Sequence, residues 1–595
     1  MLKKFFLNTL SSFVGAWIAI AICILGGIIF FFAFVGKMAV SSASTEKLSS
    51  HSVLVIDLEG TIEEVEQARQ FDVNMLLRGD VEKPKTLHSL VTAVREAAEN
   101  KNVDAIYLKC QGVSAPPATL HALRNSLLDF KKSGKPIYAY ANTFMQGDYY
   151  VATVADSIFM NPQGQVMLHG LASGNMFMKG LFDKLGVHFQ VFKVGTFKSA
   201  VEPYIMETMS EPARAQLDTL NGNVWSLMRR EMADSRRLES AATIDTLINK
   251  DFITFRQADF AKKSGLVDRL VYEREVDGIF GNLVGKEAKD VNFVSDTFLT
   301  SQTNWSQFRS SSKQVAILYA TGEIAETTGA GINCDKLVPE IISLADNDNV
   351  KAVVLRINSP GGSVFGTVQI SEALEYLKSK GKPLIVSMGD YAASGGYWIS
   401  AGADYIFADP MTITGSIGIF GLIPEISGLL DKIGVNMVMV ETNKGASFPN
   451  LFEPMTDSQQ AALQRWIEEG YDSFIKRVAI GRKMSESKVR AIAEGRVWDG
   501  ETALKIGLVN KLGSLQEAVK YAADKAGLKD NYDTAIYPVI EPSFWDYMPS
   551  AEVAELASRL RTAYPEADLS TIFFVAEILT RKPCQVRMPY FSITV

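Results

Sequence analysis

Two long stretches of this chain repeat each other in order, and that duplication limits the fold more than any other feature. His51-Ser-Val-Leu-Val-Ile-Asp-Leu-Glu-Gly60 and Lys313-Gln-Val-Ala-Ile-Leu-Tyr-Ala-Thr-Gly322 both read as a strand ending in a turn. Asn102-Val-Asp-Ala-Ile-Tyr-Leu108 then matches Asn349-Val-Lys-Ala-Val-Val-Leu355, and Gly134-Lys-Pro136 matches Gly381-Lys-Pro383. Ala155–Pro162 matches Ala403–Pro410, Phe182–Val187 matches Leu430–Val435, and Ser264–Val267 resembles Ile506–Val509. Within each unit short apolar strands alternate with amphipathic helices. The helix between Val368 and Lys378, for example, sets Ile370, Leu374 and Leu377 at helical spacing. Alternation of this kind predicts an α/β unit with a largely parallel sheet, made twice.

The boundaries follow from where the repeat starts and stops. The first unit is expected over 47–284 and the second over 313–536, joined by a polar, irregular connection at 285–312. Residues 537–595 form an extension marked by Pro538, Pro542 and Pro549, with a possible helix at 551–561 and an apolar run at 569–578 too short to span a membrane. Residues 1–40 are a stub and an anchor. Lys3 and Lys4 precede an uncharged stretch, and its most apolar part, residues 13–35, is long enough to cross a lipid bilayer as a helix. That run is longer than the apolar region of a secretory signal, so retention is expected, with the N-terminus inside and the rest outside the cytoplasmic membrane.

Length and composition exclude several classes. With 595 residues, two large domains are the natural division. A net charge of −7 gives no basic surface for nucleic acid, so no nucleic-acid partner is expected. The five histidines and the cysteines Cys23, Cys110, Cys334 and Cys584 form no metal-ligand spacing. A disulfide that includes Cys23 is disfavoured by its place in the membrane segment, and the spacing of the other three leaves one bridge open.

The chemistry concentrates in the second unit. Asn358-Ser-Pro-Gly-Gly362 is a turn after a strand, and its glycines let backbone amides approach a developing negative charge. Gly389-Asp-Tyr-Ala-Ala-Ser394-Gly-Gly396 leads from the next strand into a helix and leaves a serine among small residues. Ser394 is therefore a candidate nucleophile, although the same residues also fit a glycine-rich contact in which Ser394 merely caps the helix. Gly361 and Gly395 are the candidate oxyanion donors through their N–H groups. A serine needs a base. No Gly-x-Ser-x-Gly surrounds Ser394, and His169 and His188 carry no supporting pattern. Lys198, in the small and apolar run Val194-Gly-Thr-Phe-Lys-Ser-Ala-Val201, suits the role because burial makes a lysine easier to hold neutral. Lys193 and Lys444 are rivals. Ser416, in Thr414-Gly-Ser-Ile-Gly418, could orient the lysine amine or simply serve a turn.

The repeat sharpens this. Aligning Gly147-Asp-Tyr with Gly395-Gly-Tyr sets Gln146 opposite Ser394, so the first unit lacks the serine, while the second has no clear copy of Gly195-Thr-Phe-Lys198. Two complementary losses point to one site shared by two units, within one chain or between chains.

Taken together, Gly195–Pro203, Asn358–Gly362, Ala393–Trp398 and Thr412–Gly418 closely resemble the signal peptide peptidase A family, in its long double-unit bacterial form. The resemblance covers almost the whole chain. It implies tandem Clp-protease/crotonase-like units with an N-terminal transmembrane helix, a Ser394 nucleophile, a Lys198 base and Ser416 beside the lysine amine. It implies a homotetramer at the outer face of the bacterial inner membrane that degrades cleaved signal peptides and other hydrophobic peptides as a serine endopeptidase, without metal or nucleotide. A crotonase-like thioester enzyme and a noncatalytic membrane scaffold are the alternatives.

Overall fold

A computed structural model describes residues 48–66, 84–301, 313–327, 331–443, 445–539 and 584–587. The span expected at 13–35, the candidate helix at 551–561, the apolar run at 569–578 and Lys444 all lie outside the described residues. Among the described residues no helix is long and apolar enough to cross a membrane.

The first half builds a parallel sheet from β1 (Ser52–Glu63), β2 (Val103–Ser114), β3 (Ile137–Ala141) and β4 (Ser157–Met160), side by side in that order. Helix α1 (Pro117–Lys131) links β2 to β3, and the short α2 (Gln146–Ala152) links β3 to β4. Beyond the sheet lie α3 (Lys179–Leu185), β5 (His188–Lys193) and the long α4 (Glu211–Ser235), whose first turn is capped by Ser210. The second half repeats the plan. Strands β6 (Gln314–Thr321), β7 (Val350–Ser359), β9 (Leu384–Ala393) and β10 (Tyr405–Ala408) match β1 to β4 in order and direction. The short strand β8 (Gly361–Ser363) and helix α5 (Val364–Ser379) follow β7, and α6 (Gly395–Ala401) follows β9. Next come β11 (Ile413–Gly415), β12 (Phe420–Glu425), α7 (Ser427–Ile433) and α8 (Asp457–Arg482). A last strand, β13, covers Cys584–Arg587.

The central strands are nearly continuous apolar runs because both faces of a parallel sheet are covered. Val353, Val354, Leu355 and Ile357 of β7 and Leu384, Ile385 and Val386 of β9 are all buried. Equivalent polar groups also do the same work in each half. Lys135 and Lys382 each turn their ammonium onto two carbonyls at a helix C-terminus, Ala97 and Asn100 in one case, Leu344 and Asn347 in the other. The Tyr149 hydroxyl donates to the Leu266 carbonyl and the Tyr397 hydroxyl to that of Leu508, both at 2.8 Å. This pair fixes the equivalence of Gln146 with Ser394 in space as well as in sequence.

Two segments differ from their expected form. Within the connection at 285–312, Asn292–Ser295 is a parallel edge strand beside β1, and Asp296–Ser301 is a helix. It is the counterpart of Asp533–Tyr537 beside β6. A four-residue edge strand with one paired side carries little hydrophobic pattern, so its polar sequence conceals it. Cys110 and Cys334 are buried free thiols.

The halves join through a third sheet. Strand β5 of the first half runs antiparallel to β12 of the second, with Lys193 opposite Phe420 and His188 opposite Glu425. Gly186, which ends α3 with φ +78°, packs against the start of α7, and a Cβ there would stand 2.5 Å from the Gly428 carbonyl carbon. The change Gly186→Ala combines that overlap with a left-handed backbone, and should lower unfolding stability by about 2–4 kcal/mol in urea titrations of the full chain.

Candidate active site

Strand β9 delivers Ser394 in a conformation that few non-glycine residues adopt, φ +56° and ψ −117°. Such a backbone costs on the order of 1–3 kcal/mol and persists only where its surroundings enforce it. The Ser394 N–H donates to the Gly415 carbonyl at 2.8 Å, while its own carbonyl accepts from Trp398 N–H at 2.9 Å. Gly396 admits the turn because any Cβ there would lie 2.8 Å from the Ser359 carbonyl oxygen. The Ser394 side chain makes no capping bond to α6. It is fully buried and faces Lys198 instead.

Lys198 arrives from the first half by way of the antiparallel junction. After β5 the chain stays tied to the second half, with Val194 N–H bonded to the Ile419 carbonyl and Phe197 N–H to that of Glu494. Gly195, at φ +107°, passes so near Glu494 that a Cβ would sit 2.4 Å from its carbonyl carbon. Gly495 in turn passes the backbone of Lys198, 2.8 Å from the Lys198 Cα by the same measure. This close passage of two glycine turns inserts the lysine into the other half's core. Its Nζ lies 2.8 Å from Ser394 Oγ, 3.0 Å from Ser416 Oγ and 3.2 Å from the Ser416 carbonyl oxygen. All three partners are neutral oxygens. Burial alone drives the Lys198 pKa well below the ordinary lysine value. Lys193, the described rival, turns its ammonium toward the Lys198 carbonyl at 3.5 Å and does not reach the serine.

Ser416 is held at φ +51° by its N–H bond to the Arg496 carbonyl at 2.7 Å. Gly361 and Gly395 flank the serine, one opening β8 at φ +103° and the other opening α6. The Gly361 N–H is engaged by Ser359 Oγ at 3.2 Å. The site thus assembles Lys198, Ser394 and Ser416 in direct contact, with the glycine turn beside them.

Sequence reasoning passed over a buried network behind the serine. Asp390 accepts from the Thr119 N–H and hydroxyl on α1, at 2.8 and 2.9 Å, and from Asn358 Nδ2 at 2.9 Å. Asn358 Oδ1 accepts from Tyr391 N–H at 3.0 Å. The strand that leads to Ser394, the glycine turn and the first half are thereby stitched together. Burial and the nearby Glu64 carboxylate push the Asp390 pKa up to about 6. Glu64 is itself paired with the buried Arg356 guanidinium through Nε at 2.7 Å. Asn358 and Asp390 both stand within the motifs that mark the site, but nothing local pairs them with Thr119, which lies 271 positions from Asp390.

The first half closes its own version of the site. Gln146, in the place of Ser394, accepts from His169 N–H and Gly170 N–H at 3.0 and 2.8 Å. Asp148, in the place of Gly396, accepts from Gly112 N–H and Val113 N–H at 2.9 and 2.8 Å. The turn amides there are satisfied from within, and burial raises the Asp148 pKa to about 6.

Fold and site together define a tandem α/β protein of the Clp-protease-like class with one assembled serine–lysine contact. A sequence model described as peptidase family S49 matches residues 129–279 and 376–529, one stretch in each half, and one described as Clp protease matches 302–411. The chain is 34% identical to Protease 4 of Haemophilus influenzae over 82% of this chain and 81% of that one. It is 33% identical to Protease 4 of Salmonella typhi over 89% and 86%, and 27% identical to the chloroplastic serine protease SPPA of Arabidopsis thaliana over 84% and 72%. The chain belongs to peptidase family S49, the signal peptide peptidase A family, in its double-unit form.

A lysine neutral when folded and charged when unfolded opposes folding below its ordinary pKa. Stability should therefore rise with pH between the lowered folded value and about 10.4, by about 1.4 kcal/mol per pH unit. The variant Lys198→Met should unfold at higher urea than the parent near neutral pH, and the gap should narrow as pH rises toward 10. A Lys198→Met variant that is less stable than the parent at pH 7 would contradict a neutral buried amine.

Proposed function

We propose that this chain is a membrane-anchored serine endopeptidase that degrades cleaved signal peptides and other hydrophobic peptides through an acyl-enzyme on Ser394. The observation that carries this reading is the 2.8 Å approach of Lys198 Nζ to Ser394 Oγ, with both groups buried. A neutral amine has two N–H donors and one lone pair. The donors suit the Ser416 carbonyl and hydroxyl oxygens, which leaves the lone pair to accept the Ser394 O–H.

The chemistry then runs in two stages. Ser394 Oγ attacks the peptide carbonyl carbon while its proton passes to Lys198. The oxyanion would be met by backbone N–H groups at the start of α6 and in the glycine turn, from Gly395 and from Gly361, whose N–H would leave its 3.2 Å bond to Ser359 Oγ to do so. Collapse of the tetrahedral species breaks the C–N bond, and the Lys198 ammonium gives its proton to the departing amine. A water, deprotonated by the same lysine, then attacks the ester and releases Ser394. No step calls for a metal or nucleotide.

The chain's own tail supports an extended peptide as substrate. Strand β13 lies between β8 and β12, antiparallel to both, with Gly362 opposite Val586 and Phe420 opposite Gln585. These two edges flank the serine and accept a backbone by strand addition, which leaves side-chain choice to the surrounding pockets. An anchor at residues 13–35 would hold the catalytic halves at the outer face of the bacterial inner membrane, near membrane-derived peptides.

The test is hydrolysis of a hydrophobic signal peptide by the detergent-solubilised full chain. Ser394→Ala and Lys198→Ala should each lower kcat at least about 10³-fold, and Ser416→Ala about 10-fold or more, with folding intact by circular dichroism. Full cleavage by folded Ser394→Ala would overturn the assignment.

A further inference from the structure

The strands that lead to Ser394 and Ser416 are both held by the start of one first-half helix. Strand β9 does not keep even register with β7. Ile357 stands opposite Met388 and Ser359 opposite Ala392, so one residue of β7 faces three of β9. Those three, Gly389-Asp390-Tyr391, form a bulge, and a bulge re-aims what the strand carries next. Here that is Ser394. A side chain replaces the ladder bond lost at the bulge, since Asn358 Oδ1 accepts the Tyr391 N–H at 3.0 Å. The Asn358 amide faces one way because its Nδ2 donates to Asp390 Oδ2 at 2.9 Å. Asn358 also opens the turn that carries Gly361.

Helix α1 fixes the bulge from the other half. The Thr119 N–H, in the first turn of α1, has no partner within its own helix, and a carboxylate is favoured there. Asp390 takes that N–H at 2.8 Å and the Thr119 hydroxyl at 2.9 Å. Two residues on, His121 Nδ1 lies 2.5 Å from Asp409 Oδ2, while its Nε2 faces Glu231 Oε1 at 3.3 Å. Asp409 orders the turn before β11. Its Oδ1 accepts the Met411 N–H at 2.9 Å, and its own N–H donates to Thr412 Oγ1 at 3.0 Å. The Thr412 hydroxyl then donates to the Gly389 carbonyl in the bulge at 2.7 Å, which joins the two strands. The repeat shows that this lock is peculiar to the strands that lead to the serines. In α5 the places of Thr119 and His121 hold Gly366 and Val368, whose side chains cannot hydrogen-bond. In the first half Asn161 takes the place of Asp409 and donates to Asn142 Oδ1 within its own half at 2.9 Å.

We infer that the start of α1 is a positioning element for the proposed reaction. Thr119 and Asp390 set Ser394 against the glycine turn, and His121 and Asp409 set Ser416 beside the Lys198 amine. None of the four touches the reacting atoms, and each acts through the strand it holds. The first half thus supplies alignment as well as the base. A displacement of about 1 Å at a reacting group can cost about 10²-fold in rate, so such a lock matters to turnover more than to substrate binding. This inference rests on the serine–lysine reading and adds residues to it.

The experiment measures kcat and KM of the detergent-solubilised full chain on a hydrophobic signal peptide, with urea unfolding of each variant alongside. Asp390→Asn keeps the shape but sets an amide against donors, and should lower kcat about 10²-fold with KM within about 2-fold of the parent. Thr119→Val, the mildest change, should lower kcat about 10-fold, and Thr119→Ser should restore it. The double variant Asp390→Asn with Thr119→Val should be no slower than Asp390→Asn alone, because both break one link. His121→Leu should cost no more than the loss of Ser416 itself, about 10-fold. Asp148→Asn breaks a buried carboxylate network in the idle half, and should lower stability while kcat stays at the parent's value. Parent-like kcat in Asp390→Asn or His121→Leu, a Thr119→Ser as slow as Thr119→Val, or an equal kcat loss in Asp148→Asn would overturn the inference and leave the serine–lysine reading in place. A folded parent that cleaves nothing would overturn both.

Discussion

The candidate site is built around a lysine amine that has been taken out of water. An ammonium cannot be buried without a partner except at a cost of several kcal/mol, so a lysine enclosed by neutral oxygens gives up its proton. Lys198 meets that condition with two serine hydroxyls and a carbonyl. The strain at Ser394 and Ser416 and the tight passage of Gly195 and Gly495 all serve to keep that pocket small and closed. The energy lost there is recovered in the apolar strands of the second half, which bury a contiguous core from β6 to α8.

Division of labour between the halves follows from that enclosure. Lys198 comes from the first half, and the passage of Gly195 against Glu494 and of Gly495 against Lys198 sets its amine in the core of the second. The first half is in this sense a delivery arm. Its own glycine turn is occupied by Asp148, and Gln146 fills the serine's position with a side chain that satisfies the adjoining loop. The Asp390–Thr119 contact ties α1 to the strand that leads to Ser394, so the arm also braces that serine.

Much of this was legible in one sequence because the chain contains its own comparison. The repeat exposed the α/β plan, the absence of a serine opposite Ser394 and the absence of a lysine opposite Lys198. The choice of Lys198 over Lys193 rested on a small apolar run and on the family motif, and the structure separates the two by reach, since Lys198 contacts Ser394 Oγ and Lys193 turns to the Lys198 carbonyl. Local residues left open whether Ser394 caps its helix, and backbone geometry answers that it does not. The strand at 292–295 and the pairing of Asp390 with Thr119 were hidden for one reason. Each is made by contacts between residues far apart in the chain, and neither leaves a periodic trace in its own segment.

The central claim is that a neutral Lys198 activates Ser394, and the rate at which the serine is acylated reads it most directly. The full chain would be mixed with an acylating peptide ester over a range of pH, and the adduct on Ser394 followed by intact mass. The account predicts a rate that rises through one ionisation and reaches a plateau well below pH 10, the lysine having shed its proton early. A rate that climbs in proportion to hydroxide through pH 10 without a plateau would contradict it, because the serine would then be ionising without the help of a buried amine.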